Sequence, residues 1–472
     1  MKNIYRIFIF ILTLILVLSA VGCTRVQTVT SEVWEDEETE SNLGDETSEE
    51  DQNTSTQSTA SENKNDQKGD TFDFKGATIT IASWSHSAEP NKASTTYKQE
   101  IQLVEQLQKK YNCKFEYPCI IDSIEYYNTF VTQSMAGTKF ADIVPVPGDQ
   151  GFPSAALSGY ARCLDGQFDW DSEMFVDKVV NNALLLKGKH YYLSFAINNA
   201  TNSGGGIAFR KSLFEKFNVK TPHDYVRENN WNWDTFKDLC KTMTRNEGGT
   251  QYYGLDKAKS AIFFSSNNAS TIIKQGEGKY KFNMDDPKVL ECIQFGKDIY
   301  DAGYVPKSNG ESLWDAGLIA MQGSAGWVLT AEDDIGFAYY PIGPNANDYI
   351  YRAGAGSITV VPTAVKDSIF PGICQVITDY YAVYPWRKTI EQVMETRHSD
   401  EYSIQIELDM VNRANTTVGE GWDTYYPWTY RNVFWTDYGI SEGKSPQGFI
   451  ASVKDAAQAE IDALWSGIDK LK

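Results

Sequence analysis

Trp84, Ser85, His86 and Glu89 crowd one short segment, and Asp149 stands alone further along. Together they set a flat ring beside groups that donate and accept hydrogen bonds. Such a set suits a sugar, whose apolar C–H face stacks on an aromatic plane while its hydroxyl rim needs polar partners. Further candidates are Asn198 in a stretch rich in Asn, Ser, Thr and Gly, Phe264, Arg352 just before Gly354-Ala355-Gly356, and Trp422. Trp422 opens an aromatic run through Tyr425, Tyr426, Trp428, Tyr430, Phe434 and Trp435, for which a packed wall is as good a reading as ligand contact. Trp231 and Trp233 fall in the first turn of a helical pattern and are read as packing residues.

Catalytic signatures are not apparent. The histidines at 86, 190, 223 and 398 are scattered without an HExxH pair, and no GxSxG elbow, Walker loop or strand-linked GxGxxG occurs. A carboxylate pair of the glycosidase kind could still lie among the many acids, because sequence spacing does not report spatial separation. After Cys23 come Cys113, Cys119, Cys163, Cys240, Cys292 and Cys374, with no CxxC pair, so the spacing suggests neither zinc nor a redox centre. Cys240 and Cys292 lie on apolar helical faces and are expected to be buried thiols, while an exported chain could oxidise others. No cofactor and no metal is expected.

The elements that must position these residues alternate. A β-branched strand at Ala77 to Ala82 precedes a helix at Tyr97 to Tyr111, with apolar residues at 97, 101, 104, 107 and 111. A strand at Lys114 to Ile120, a helix at Tyr126 to Met135 and a strand at Ala141 to Val146 follow. That order predicts a parallel sheet with crossover helices, whose ligands lie beyond the carboxyl ends of the strands. Those ends are Ser83 to His86 and Pro147-Gly148-Asp149. Further on, a short strand at Ile207 to Arg210 leads into a helix at Leu213 to Phe217. A helix at Trp231 to Met243 has Trp233, Phe236, Leu239, Cys240 and Met243 on one face, and another starts at Asp286-Pro287.

The amino terminus addresses location. Lys2 and Arg6 precede an apolar run from Ile7 to Val21 that ends at Gly22-Cys23, the build of a secretion signal. Ser31 to Asp70 is then almost wholly polar, with fourteen acids against Lys64 and Lys68, so more than half of the net charge of −20 lies in a segment that cannot fold alone. Such a chain reads as a tether. The remainder is moderately acidic, with no basic stripe for a phosphate backbone, so nucleic acid is excluded as a partner. Its length of about 400 residues suits two lobes. Aromatic residues make up 13% of the chain, including 12 Trp and 27 Tyr, more than packing requires.

Ser19-Ala20-Val21-Gly22-Cys23 resembles a bacterial lipobox, which implies cleavage before Cys23 and lipid on its thiol; Ala20 stands where such boxes usually carry leucine. Ile207-Ala208-Phe209-Arg210-Lys211-Ser212-Leu213-Phe214, Trp231-Asn232-Trp233-Asp234-Thr235-Phe236 and Tyr253-Gly254-Leu255 resemble blocks of the extracellular solute-binding proteins of bacterial ABC importers, the maltose-binding-protein group. Ala320-Met321, Gly326-Trp327 and Tyr340-Pro341-Ile342-Gly343-Pro344 continue the likeness.

The resemblance implies an α/β, two-lobed type II periplasmic-binding-protein-like fold, with parallel-core sheets, flanking helices and crossing hinge strands. It implies a signal peptide at 1–22, a lipidated tether at 23–70, one lobe from 71–198 with about 354–390, and a second from 205–352 with about 391–472. It places Trp84 where the family's first ligand-contacting loop begins, and Trp327 where a tryptophan stacks on sugar. The acid-rich loop that some members carry is here Thr244 to Gln251, with Glu247 its one carboxylate, so no calcium is expected there. The implied role is a non-enzymatic, monomeric receptor, lipid-anchored outside the cell membrane, that passes a carbohydrate to ABC permease subunits. A sensory or scaffold lipoprotein of the same fold, or a secreted carbohydrate-active enzyme, are the alternatives.

Overall fold

A computed structural model describes residues 71–471 other than 87, 91, 93–96, 173, 176–177, 195–204, 258–260, 308–309, 326–331, 352–356, 383–393 and 417–444. Its first elements are β1 (Ala77–Thr80), β2 (Ser83–Trp84), α1 (Tyr97–Tyr111), β3 (Cys113–Glu116), β4 (Cys119–Ile120), α2 (Ser123–Met135) and β5 (Val144–Pro147). Next come β6 (Gly205–Arg210), α3 (Lys211–Phe217), α4 (Trp233–Met243), β7 (Arg245–Glu247), β8 (Thr250–Leu255), β9 (Ile272–Gly276), β10 (Lys279–Phe282) and α5 (Pro287–Asp301). The chain continues with β11 (Ile319–Ala325), β12 (Ile335–Ala338), β13 (Ser357–Val360), α6 (Phe370–Ala382), α7 (Glu401–Thr416) and α8 (Pro446–Trp465).

The first sheet is assembled from short pieces. β1 pairs parallel with β3, β2 parallel with β4, and a parallel bridge joins Ile81 to Ile143 just before β5. β13 returns from far along the chain to pair antiparallel with β5, and Leu193 bridges to its outer side at Thr359. Side chains alternate between two cores, as a period of two demands. Ile79, Ile81, Ile143 and Val361 pack in one, with Leu103, Leu107 and Tyr111 of α1 and Ile373, Val376 and Ile377 of α6. Ala82, Val144, Val146 and Val360 lie in the other, with Tyr126 and Phe130 of α2. Each fully buried Ile or Val contributes roughly 1.5–3 kcal/mol.

Three expectations shift here. The strand read from Lys114 to Ile120 is divided, because Pro118 has no N–H for the ladder; its carbonyl accepts from Ser83 N–H at 2.8 Å instead. α2 begins three residues early, since the Asp122 carboxylate accepts from the N–H groups of Ile124 and Glu125 at 3.0 and 2.8 Å. The buried stripe of α1 runs through Leu103, Leu107 and Tyr111, a step round the helix from the expected face.

The second sheet has the order β12-β6-β11-β8-β7. β6 is antiparallel to both neighbours and only β8 and β11 run parallel, so it is mixed where a parallel core was expected. The face of α4 is as read: Trp233, Phe236, Leu239, Cys240 and Met243 are all buried. Trp231 is buried as well, and Cys240 and Cys292 are buried thiols; all six described cysteines are free. α4 lies so close to β8 that a Cβ on Gly254 would stand 2.2 Å from the Cys240 carbonyl oxygen. α5 starts with Asp286 as cap and Pro287 in its first turn.

α8 buries Ile450, Ala457, Ile461 and Trp465. It packs on β10 and α5 and also on the short helix Ser154–Leu157, with Trp465 stacked on Tyr280 and edge-on to Phe152. The carboxyl-terminal helix thus joins the hairpin beside the second sheet to residues behind the first. Among the described residues no helix is long and apolar enough to cross a membrane. The signal run, Cys23 and the tether lie outside the described residues.

Candidate functional site

At the carboxyl edge of the first sheet, the turn after β2 is built by three elements. Ser83 is fully buried, and its hydroxyl donates to one oxygen of the Glu89 carboxylate. Ser85 N–H donates to Ile120 O at 3.1 Å, then Ser85 and His86 both take left-handed backbone angles, φ 50° and 60°. This turn points the His86 N–H at Cys119 Sγ, 3.4 Å away, and sets its ring nitrogen against the other Glu89 oxygen. Ala88 is held by its N–H to Ser83 Oγ at 3.2 Å and by Tyr380 of α6, whose hydroxyl donates to the Ala88 carbonyl at 2.8 Å. Burial pushes the Glu89 carboxyl upward, but the hydrogen bonds from Ser83 and His86 outweigh it and leave it below its ordinary value.

Trp84 is partly buried, packed at its base against the core. It borders an open depression lined by Ser85, Cys119, Ile120, Ile121, Asp122 and Glu125. The site therefore offers an aromatic plane, two carboxylates and a hydroxyl around a solvent-facing hollow, the means to hold a small hydroxyl-bearing molecule. Asp149 lies on the helical turn Gly148–Gly151 that directly follows β5, at the same edge of the sheet. Its side chain is outside the described residues.

The second sheet has a matching edge. Because β6 runs against β11 and β12, its amino end, the first described residues after 195–204, lies beside the carboxyl ends of β8, β11 and β12. Gly206 allows this closeness, since a Cβ there would stand 2.3 Å from Ala338 O. Asp256, just past β8, is buried and accepts from Gly323 N–H at 3.2 Å. Tyr339 and Tyr340 follow β12. The Tyr339 ring stacks on Tyr349 at 3.9 Å and its hydroxyl donates to Asp409 at 2.7 Å. Tyr340 N–H donates to Tyr351 Oη at 3.0 Å, and burial, then the Asp256 charge, pushes its phenol upward.

Of the residues singled out in the sequence, Trp84, His86 and Asp149 gather at the first sheet's edge. Phe264 does not join them: it is 6% exposed and packs in the core, so its ring has little face left for a solute. Asn198, Trp327, Arg352 and Trp422 lie outside the described residues. Asp256 and Tyr340 were not singled out. Their signal is position, each standing within two residues of the carboxyl end of a strand; Tyr340 opens the Tyr340-Pro341-Ile342-Gly343-Pro344 block and Asp256 directly follows Tyr253-Gly254-Leu255. Thr244 to Gln251 forms the β7–β8 hairpin, turning at Gly248-Gly249 with φ 58° and 85°.

The family profile described as bacterial extracellular solute-binding protein matches residues 91–369. Comparison with curated proteins by sequence finds no match. Among solved structures, UgpB from Mycobacterium tuberculosis in complex with glycerophosphocholine aligns over 81% of this chain and 98% of its own, at TM-score 0.58 and 18% identity. An ABC transporter solute-binding protein from Agrobacterium radiobacter in complex with ribitol aligns over 82% and 99%, at 0.57 and 13%. The GacH receptor of Streptomyces glaucescens, solved unliganded and with acarbose, aligns over 82% and 98%, at 0.55 and 17%. At such identities the likeness is one of fold.

Proposed function

Since the chain belongs to the family of bacterial extracellular solute-binding proteins, we propose that it captures a carbohydrate between two lobes and delivers it to the permease of an ABC importer. The observation that carries the carbohydrate reading is Trp84, set at the carboxyl edge of the first sheet over a hollow bordered by Ser85, Asp122 and Glu125. Two proteins of like fold were solved with ribitol and with acarbose, both rich in hydroxyls.

The first lobe comprises 71–198 with about 354–390, and the second 205–352 with about 391–472, the stretch Asn198 to Gly206 serving as hinge or crossover between them. From the second lobe, Trp327, two positions in sequence past the end of β11, is the ring assigned to stack on the sugar. Contacts from both edges favour the closed arrangement, and that differential affinity is the whole mechanism. No bond in the solute is made or broken. The lipid on Cys23 and the acidic tether hold the closing lobes within reach of the membrane partner.

A thermal-shift and tryptophan-fluorescence screen against polyols, monosaccharides and oligosaccharides tests this reading. At least one should raise the melting temperature, as any ligand bound only by the folded state must, and come back chemically intact. A panel that leaves both signals unmoved would remove the carbohydrate. Replacing Cys23 by alanine should release the protein from the membrane fraction; retention would count against the lipid anchor.

A further inference from the structure

The turn that carries Trp84 also gathers three unlike donors from two separate strands' ends. We propose that His86, Glu89 and Cys119 form a binding site for a zinc-class transition-metal dication. One donor atom from each lies within 4.8 Å of the other two. A tetrahedral ion with bonds of about 2.0–2.3 Å spaces its ligands ~3.5 Å apart, so small movements complete the triangle. The His86 side chain is 66% exposed and free to make that adjustment, while Glu89 is 23% exposed and anchored.

The supports are those of a built site. Two successive non-glycine residues, Ser85 and His86, sit in the left-handed region, at a cost of roughly 1–2 kcal/mol each. What that conformation achieves is to bring the imidazole and the thiol together. The buried Ser83 hydroxyl holds one Glu89 oxygen, the outer-shell bond that orients a ligating carboxylate, and the His86 N–H points at Cys119 Sγ. Sulfur, nitrogen and oxygen donors together suit zinc and its neighbours, whereas calcium and magnesium call for oxygen alone. Three protein ligands leave a coordination position open. Of the three ligands Cys119 also lines the hollow beside Trp84 and Asp122, so the proposed ion site adjoins it. The separation of thirty-three positions from His86 to Cys119 hides the site from any reading of cysteine spacing.

The full chain, stripped with chelator, is titrated with Zn2+ against a chromophoric competitor and with Co2+ by absorbance. One Zn2+ should bind per chain, and Co2+ should develop a thiolate-to-cobalt charge-transfer band. Cys119→Ser should abolish the band, and His86→Ala, at an exposed position that does not threaten folding, should weaken Zn2+ by about tenfold or more. Cys163→Ser, at another partly exposed thiol, should leave both unchanged. Equal Zn2+ uptake by wild type and both site variants, or a band that survives Cys119→Ser, would overturn the site. Sugar titrations run in chelator keep this outcome separate from the carbohydrate reading.

Discussion

The Trp231 indole N–H donates to the carbonyl oxygen of Tyr339 at 2.7 Å, with both residues buried. One bond thus fixes the approach to α4 against the strand end that presents Tyr339 and Tyr340 at the second sheet's edge. Trp231→Phe keeps an aromatic filler and removes the donor, leaving a buried carbonyl unpaired at a cost of about 1–3 kcal/mol. Urea unfolding should show a lower midpoint with an unchanged slope; an unchanged midpoint would mean that the bond does not hold the edge.

Gly254 is required by close approach and not by backbone angle, since a Cβ there would meet the Cys240 carbonyl oxygen at 2.2 Å. Backbone cannot step aside as a side chain can. Gly254→Ala should therefore destabilise by about 1–3 kcal/mol or more, read as a lower melting temperature. Wild-type stability would show that α4 and β8 are packed less tightly than described.

His223 Nε2 lies 2.8 Å from the Phe337 carbonyl oxygen, which only a protonated Nε2 can satisfy. Burial lowers its pKa below the ordinary 6.5, against the opposing pull of that carbonyl and of Asp400, with Arg227 and Lys211 adding to the decrease. Below that value the unfolded chain binds a proton that the folded chain resists, so this contribution is complete above it and is lost as pH falls. His223→Gln should flatten the decline in stability between about pH 7 and about pH 5. An identical slope in the variant would assign the decline to other groups.

Trp84→Ala and Trp327→Ala should each weaken the sugar found by screening about tenfold or more, a lost stacking surface being worth ~1.5 kcal/mol. Affinity that survives Trp84→Ala would return that ring to packing, and the same holds for Trp327.

Legibility followed the physics of each element. α4 could be read residue by residue because one helical face carries its whole burial, and α5 because Asp286-Pro287 is a local start signal. β3 and β4 were read as one strand because the effect of Pro118 depends on which neighbour needs its N–H. The mixed order of the second sheet and the span of α8 across two packing regions are matters of long-range pairing, which composition does not carry. The place of Trp84 and His86 at the first sheet's edge was legible because each stands at or just after the end of a strand. Phe264 was not distinguishable from a core ring, and Cys119 was set aside because its partners are distant in sequence.

Isothermal calorimetry with the best ligand of the screen tests the central claim most directly. A solute receptor should give a single saturable site per chain, with the sugar recovered unchanged after hours of contact. Absence of heat across polyols and oligosaccharides with protein that melts cooperatively, or the appearance of hydrolysis products, would contradict it.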